Sequence, residues 1–361
     1  MTRIICTVTN DLVYDQRMQR ICTSLQNNSY AVELVGRKLS NSPSLQAHNF
    51  QQTRLNCWFT KGVLFYAEFN IRLFIFLLFS NYDIACGCDL DTLPAVVLAS
   101  AIKRKKTVYD AHEYFTESPE LIGRPIKKYI WNFIEKLFVP HVDIAYTVSK
   151  NIAQLFEKKY KTKFHVIRNL PYKNTDNFYP TKNKILVYQG AVNIGRGLNE
   201  LLLAMLKINH ATCWIIGDGD EMYNVQNAVK ELGLTSKVKL LGKKKPDELK
   251  RLTHETYIGI NLLENRGLSY YYSLGNKTFD YIQAGKPQVF IGFPEYIELN
   301  NKYKFGCVVD ELIPDKIQLA IDRLLNDDRL YQEIQQNCLR AREDLCWEKE
   351  ELLLVSIYKK L

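Results

Sequence analysis

Short apolar runs of β type alternate with helical patterns along the whole chain, and a sequence built this way is confined to parallel sheets with helices on both faces. In the first half the runs are 4–8, 31–35, 83–86, 107–109, 144–148 and 164–167. In the second they are 185–188, 212–216, 237–241, 258–262, 288–291 and 306–309. Helical patterns between them include 16–26, 126–138, 221–232 and 246–253, and three more, 315–325, 330–342 and 348–358, close the chain with no strand after them. With 361 residues there is more chain than one core usually holds, so two domains are expected. The stretch from Asn169 to Pro180 is polar, includes Pro171 as well as Pro180, and lacks periodicity, which marks a linker. The predicted fold is α/β, with a doubly wound Rossmann-like domain over 1–168, a linker over 169–183, a second such domain over 184–346, and a last helix, 347–361, packing back toward the first domain. Two such domains facing each other are expected to hold a ligand in the cleft between them, at the carboxyl ends of the strands.

Hydrophobic residues make up 47% of the chain and aromatic residues 12%, enough to fill both cores. The net charge of +9 implies attraction to polyanions, and by itself leaves nucleic acid, anionic lipid and phosphorylated substrates open. The nine cysteines are odd in number and fall mostly in apolar strand-like runs, as buried reduced thiols of a cytosolic protein do. Cys86 and Cys88 form a C-x-C, but no second Cys/His pair stands at ligand spacing, so no zinc site is expected. The N-terminus enters a strand directly, without a signal-peptide core. The apolar run 73–79 is too short to span a bilayer, which predicts a soluble or peripheral protein.

The second half carries two anion-binding signals. Residues 268–291 read as a turn holding Ser273 and Gly275, a helix opening at Asn276 and Lys277 and carrying Asp280, then a stop at Gly285-Lys286-Pro287 before a buried strand. Such a helix start offers backbone N–H groups and a positive dipole end to an anion, with the charge of Lys277 beside them. Asp280 lies one turn on, nearly on the same face, where a carboxylate suits sugar hydroxyls. Upstream, the strand 185–188 breaks at Gly190 into a turn with Gly195, Arg196 and Gly197 before a helix. Glycines there let backbone amides approach phosphate oxygens, and Arg196 adds a forked cation. An ordinary βα turn has the same look, but two such sites in one βα domain point to a diphosphate held from two sides, with a ribose at Asp280.

Gly217-Asp218-Gly219 invites a nicotinamide-binding reading, which the missing third glycine and Lys237-Val238-Lys239 in place of the ribose-binding acid argue against. A tight turn lining the ligand site is expected instead. In the first half, Asp89-Leu90-Asp91 resembles a metal-binding D-x-D but stands where carboxylates cap helices or meet an acceptor. His112, with Glu113 beside it, follows a strand at its carboxyl end and can donate to a phosphate or sugar oxygen. Asp11, Asp15 and Arg17 follow the first strand and are further candidates for acceptor or phosphate contact. Phe65, Phe69, Leu73 and Phe76 recur at helical spacing, as do Ile126, Ile130, Phe133 and Leu137 beside Arg124, Lys127, Lys128 and Lys136. Stripes of this kind are usually core faces. Their cationic flanks, with Trp131, also fit a helix resting on an anionic membrane surface.

Taken together, the segments TNDLVYDQRMQRICTSL, CDLDTLPAVVLASAIKRKKTVYDAHEYFTESPEL, VIRNLP, YQGAVNIGRGL and SLGNKTFDYIQAGKP resemble glycosyltransferase family 4, the retaining sugar transferases of GT-B architecture, in a bacterial glycan-assembly branch. The resemblance spans nearly the whole chain. It implies a nucleoside-diphosphate sugar held by the second domain, a glycan or lipid-linked acceptor held by the first, no metal or other cofactor, and no nucleic acid as partner. Gly190 matches the glycine opening the family's phosphate loop, Arg196 its basic residue, and Asp280 the second glutamate of its two-glutamate motif. Ala191 stands where the family has arginine, Tyr272 where it has the first glutamate, and Glu264 lies too early for that role. The expected function is therefore retaining hexosyl or N-acetylhexosaminyl transfer in the cytoplasm, peripheral to the inner face of the membrane. In that scheme Arg196 and Lys277 meet the leaving diphosphate and His112 faces the sugar. A non-catalytic nucleotide-sugar-binding scaffold and a nonhydrolysing epimerase of the same architecture are the alternatives.

Overall fold

A computed structural model of the chain describes residues 1–40, 42–176, 181 and 183–361. The chain forms two compact units, Met1–Asn169 with Glu350–Leu361, and Leu170–Lys349. Part of the expected linker, 177–180 and 182, lies outside the described residues.

The first unit runs β1 (Arg3–Thr7), α1 (Gln16–Asn27), β2 (Ala31–Lys38), β3 (Gln51–Asn56), α2 (Gly62–Phe79), β4 (Ile84–Cys88), α3 (Leu93–Lys103), β5 (Lys106–Ala111), α4 (Pro125–Phe138), β6 (Ile144–Thr147), α5 (Lys150–Tyr160) and β7 (Phe164–Val166). All strands are parallel, in the order β3-β2-β1-β4-β5-β6-β7. Strands with helices over both faces are buried on both sides, which is why they read as continuous apolar runs. Edge strand β3, QQTRLN, is the exception. It is polar and largely half-exposed, so no hydrophobic pattern announces it. Helix starts follow local rules, since Asp15 caps α1 by accepting from the Met18 N–H and Ser149 caps α5 by accepting from the Ile152 N–H.

The second unit runs β8 (Ile185–Gln189), α6 (Leu198–Lys207), β9 (Thr212–Ile216), α7 (Met222–Glu231), β10 (Val238–Gly242), α8 (Pro246–Glu255), β11 (Ile258–Asn261), α9 (Leu268–Tyr271), α10 (Asn276–Gln283), β12 (Gln288–Ile291), α11 (Pro294–Tyr303), β13 (Gly306–Val309), α12 (Pro314–Asn326) and α13 (Asp328–Ala341). Its parallel order is β10-β9-β8-β11-β12-β13. The last helix, α14 (Trp347–Tyr358), contributes its residues from Glu350 onward to the first unit, where the Glu351 carboxylate accepts from Ser24 and Tyr358 lies among Tyr30 and Tyr146.

The two apolar stripes have opposite fates. Phe65, Phe69 and Leu73 of α2 are buried in the first unit's core. The run 73–79 is only the end of this 18-residue helix, which by length and composition could cross a membrane but packs one face against the sheet. On α4, by contrast, Ile126, Ile130, Phe133 and Leu137 are exposed, and the one buried side chain is Glu135. All nine cysteines are free thiols, most of them buried.

Candidate functional site

In the second unit the strand order reverses between β8 and β11, and in doubly wound sheets ligands bind beyond the strand ends at that reversal. The loop from Gly190 to Gly197 leaves β8 there and is tied on both sides. The Val192 N–H donates to the Asp218 carbonyl at 3.0 Å, the Glu221 N–H to the Val192 carbonyl at 2.9 Å, and the Glu264 N–H to the Gly195 carbonyl at 3.0 Å. The backbones lie so close that a Cβ at Gly217 would sit 1.8 Å from the Gly190 oxygen, and one at Gly197 would sit 2.9 Å from the Leu262 oxygen with φ at +63°. Gly219 packs on Val192 and Asn193 in the same way. Gly217 and Gly219 thus form the turn that backs the loop.

Two cations converge on this loop. Lys277, at the start of α10, is only 9% exposed, its Nζ has no hydrogen-bond partner among the described residues, and it lies 3.7 Å from the centre of the Tyr188 ring. The Lys277 Cε would be 3.7 Å from a Cβ at Gly190. Burial first, and the like charge of Arg196 second, hold its pKa well below the usual lysine value. The Arg196 guanidinium stacks 4.8 Å from the Tyr270 ring centre, and its Nε is likewise buried without a hydrogen-bond partner. Buried cationic nitrogens of this kind suit an anion as hydrogen-bond partner. Around them, the Gly275 N–H donates to the Tyr296 hydroxyl at 2.8 Å, Ser273 donates to the Tyr270 carbonyl, Asn276 opens α10 at the surface, and the N-cap of that helix is Gly275, which has no side chain to cap it. Asp280 accepts from the Gln189 amide at 2.9 Å, and Gln189 in turn accepts from Thr253.

This geometry makes Lys277→Met a variant with opposed effects. The free protein should gain roughly 1 to 3 kcal/mol, because a buried unsatisfied polar group is removed, while any stabilisation by a nucleoside diphosphate should vanish. Because the folded pKa lies below the 10.5 of an unfolded lysine, folding releases a proton in between, so wild-type stability should rise with pH up to that value. Thermal melts across pH, with and without nucleotide, check this, and a Met variant that keeps the wild-type slope would contradict it.

In the first unit His112 sits in a nest of carboxylates. Its Nε2 is 3.2 Å from Asp110 and 2.9 Å from the Cys88 sulfur, its Nδ1 is 3.6 Å from Asp89, and its backbone N–H donates to Asp89 at 2.8 Å. Burial disfavours the imidazolium, but Asp110 and Asp89 outweigh it and raise His112 to about 9. A histidine charged at neutral pH is a hydrogen-bond donor rather than a base. Burial pushes Asp89 up to about 8 and Asp91 to about 6, and Glu113 adds to the rise at Asp89. Cys88, Asp110 and His112 bring ligand atoms within 4.8 Å of one another, a grouping that C-x-C spacing did not reveal. Asp110 is already held by Arg17, and burial keeps the Cys88 thiol protonated, both unfavourable to a metal.

Four acceptor candidates prove to be bound up within the unit. Arg17 is 4% exposed and grips Asp110 at 2.8 and 3.3 Å and the Ile167 carbonyl at 3.1 Å, because a buried guanidinium needs every donor satisfied. Asp11 accepts from Arg54, Ser42 and the Val13 N–H. Asp15 caps α1. Asp91 accepts from Thr9 at 2.5 Å and so ties the β1 loop to the β4 loop. The sequence reading passed over Gln189, Tyr188 and Arg266. Arg266 pairs with Glu264 at 2.5 Å and presses against Gly195. Position just after β11 is the only signal that could have found it.

Two Rossmann-like units, and similarity over nearly the full length to solved structures of the GT-B fold, place the chain in that fold class. Sucrose-phosphate synthase from Thermosynechococcus elongatus superposes with a TM-score of 0.80 at 16% identity, covering 100% of this chain and 99% of that one. HepE of Anabaena, solved with UDP-glucose, gives 0.77 at 14% identity, covering 100% of both chains. Residues 16–170 match the family described as Glycosyltransferase Family 4, and residues 173–340 match Glycosyl transferases group 1. An uncharacterized glycosyltransferase of Methanocaldococcus jannaschii is 26% identical over 180 residues, 49% of this chain and 45% of that protein, so the match spans less than half of the relative's length. The matches in the two halves together support a glycosyltransferase of the family 4 type.

Proposed function

We propose that the protein is a retaining glycosyltransferase moving a hexosyl or N-acetylhexosaminyl group from a nucleoside-diphosphate sugar to a hydroxyl of a bacterial glycan or lipid-linked acceptor, on the cytoplasmic side of the membrane. One observation carries the reading: Arg196 and Lys277, whose buried Nε and Nζ have no hydrogen-bond partner among the described residues, flank one glycine loop beside a helix start with glycine at its N-cap. That arrangement favours two linked phosphates. As the bond from sugar to phosphate breaks, negative charge grows on the diphosphate, where preorganised cations stabilise the transition state most. Asp280, steadied by Gln189, suits the ribose hydroxyls. Within the first unit, His112 as imidazolium is a donor suited to a sugar hydroxyl, with Asp89 and Glu113 beside it. No general base is assigned, because the departing phosphate can take the acceptor's proton. HepE, a protein of the same fold, binds UDP-glucose, which supports a nucleotide-sugar donor.

A panel of nucleotide sugars tests this, with thermal stabilisation recorded first and nucleotide release second. Stabilisation with release is expected. Tyr272 at the position of the family's first glutamate favours a second reading, a binding scaffold, which would give stabilisation without release. An altered sugar nucleotide would indicate an epimerase instead. Turnover should survive EDTA, since Asp91 is engaged by Thr9 and Asp110 by Arg17. Loss on chelation and rescue by manganese or magnesium would assign a metal to Asp89 or to the Cys88 cluster.

A further inference from the structure

Helix α4 is inside out. Ile126, Tyr129, Ile130, Phe133 and Leu137 are 42 to 76% exposed, whereas Glu135 is fully buried, accepting from Lys159 at 2.6 Å, from Tyr160 and from Thr116. A helix facing only water places its charges outward and its apolar stripe inward. The partners of Glu135 lie on α5 and on the turn before α4, so the inverted orientation is fixed by this unit's own packing. The apolar face does not stand alone. Tyr66 of α2 meets Trp131 of α4 edge-on at 5.1 Å, and α2 itself leaves Leu64, Ile71 and Ile75 exposed.

We infer that the outer face of α4, continued by α2, is a docking surface for an anionic lipid bilayer, with α4 lying in the plane of the interface. The inference deepens the proposed function by making the acceptor lipid-linked, and so rests on that reading. Charge selects lipid over a protein partner. Arg124, Lys127 and Lys136 stand exposed along α4, and the helix has no exposed acid, since its single carboxylate is the buried Glu135. Long basic side chains can reach headgroup phosphates while apolar neighbours enter the acyl boundary, and an exposed Tyr129 suits that depth. Apolar insertion and electrostatic attraction together give reversible binding that salt weakens.

Flotation of the full chain with phosphatidylglycerol/phosphatidylcholine vesicles and with phosphatidylcholine vesicles, at low and high salt, tests the surface. Wild type should float with the anionic vesicles at low salt, and Lys127→Glu should lower the bound fraction by about fivefold or more. Phe133→Glu should abolish flotation while keeping a cooperative melt near the wild-type temperature, which shows that the variant is folded. Failure to float on anionic vesicles overturns the inference, as does undiminished binding by Phe133→Glu. Concentration-dependent self-association that Phe133→Glu abolishes, without flotation, would assign the face to a second copy instead. The nucleotide panel fails or succeeds independently of all these outcomes.

Discussion

Arg196→Ala should lower kcat by at least about 100-fold, the usual consequence of removing one donor aimed at developing charge. Its guanidinium lies over Tyr270 beside Gly195 and Gly197, so its fork is already oriented before any ligand arrives. A contact whose strength grows as the phosphate takes up charge affects kcat more than the donor KM. Arg196→Lys should recover only part of the loss, since an ammonium restores charge without the bidentate geometry. Steady-state kinetics with the donor found by the panel decide this. Near-full activity in the alanine variant would place the phosphate site away from the Gly190 loop.

Arg17→Met should destabilise the first unit by about 3 to 5 kcal/mol, because it leaves the Asp110 carboxylate buried without its partner. Asp110 is fully buried. Burial alone would raise its pKa, yet Arg17 and then His112 bring it down to about 2. A folded pKa below the unfolded one stabilises above the unfolded value and is lost as pH falls toward 2. The wild type should therefore lose this contribution in acid, while Arg17→Met should show a much flatter acid dependence. Urea unfolding at neutral and acidic pH checks both. A loss below about 1 kcal/mol would mean that water or another cation reaches Asp110 in the variant.

Much of the local structure at the candidate site was legible because local rules generate it. The glycines after β8 announce a loop that backbone amides must approach, and Asn276-Lys277 before Asp280 announces a helix start with a cation. What was not legible is which cations remain without partners. Arg17 and Arg196 look alike in sequence, each just after a strand. Arg17 meets a carboxylate 93 positions away, and Arg196 has no carboxylate paired with it among the described residues, a difference that exists only once the strands are in register. Lys277 is similar. Its place at a helix start could be read, but burial beside Tyr188 could not.

By itself the sequence determined the alternation of strands and helices, the division into two doubly wound units and the glycine loop at the head of the second, because hydrophobic period and backbone sterics act over a few residues. It did not reveal β3, whose edge position needs no apolar residues. Tertiary structure alone decided which face of α4 meets water. Periodicity shows that a helix has two unlike faces but not which one turns inward. That choice was made by Lys159 and Tyr160 of α5, which hold Glu135 inside and turn Ile126, Ile130, Phe133 and Leu137 outward.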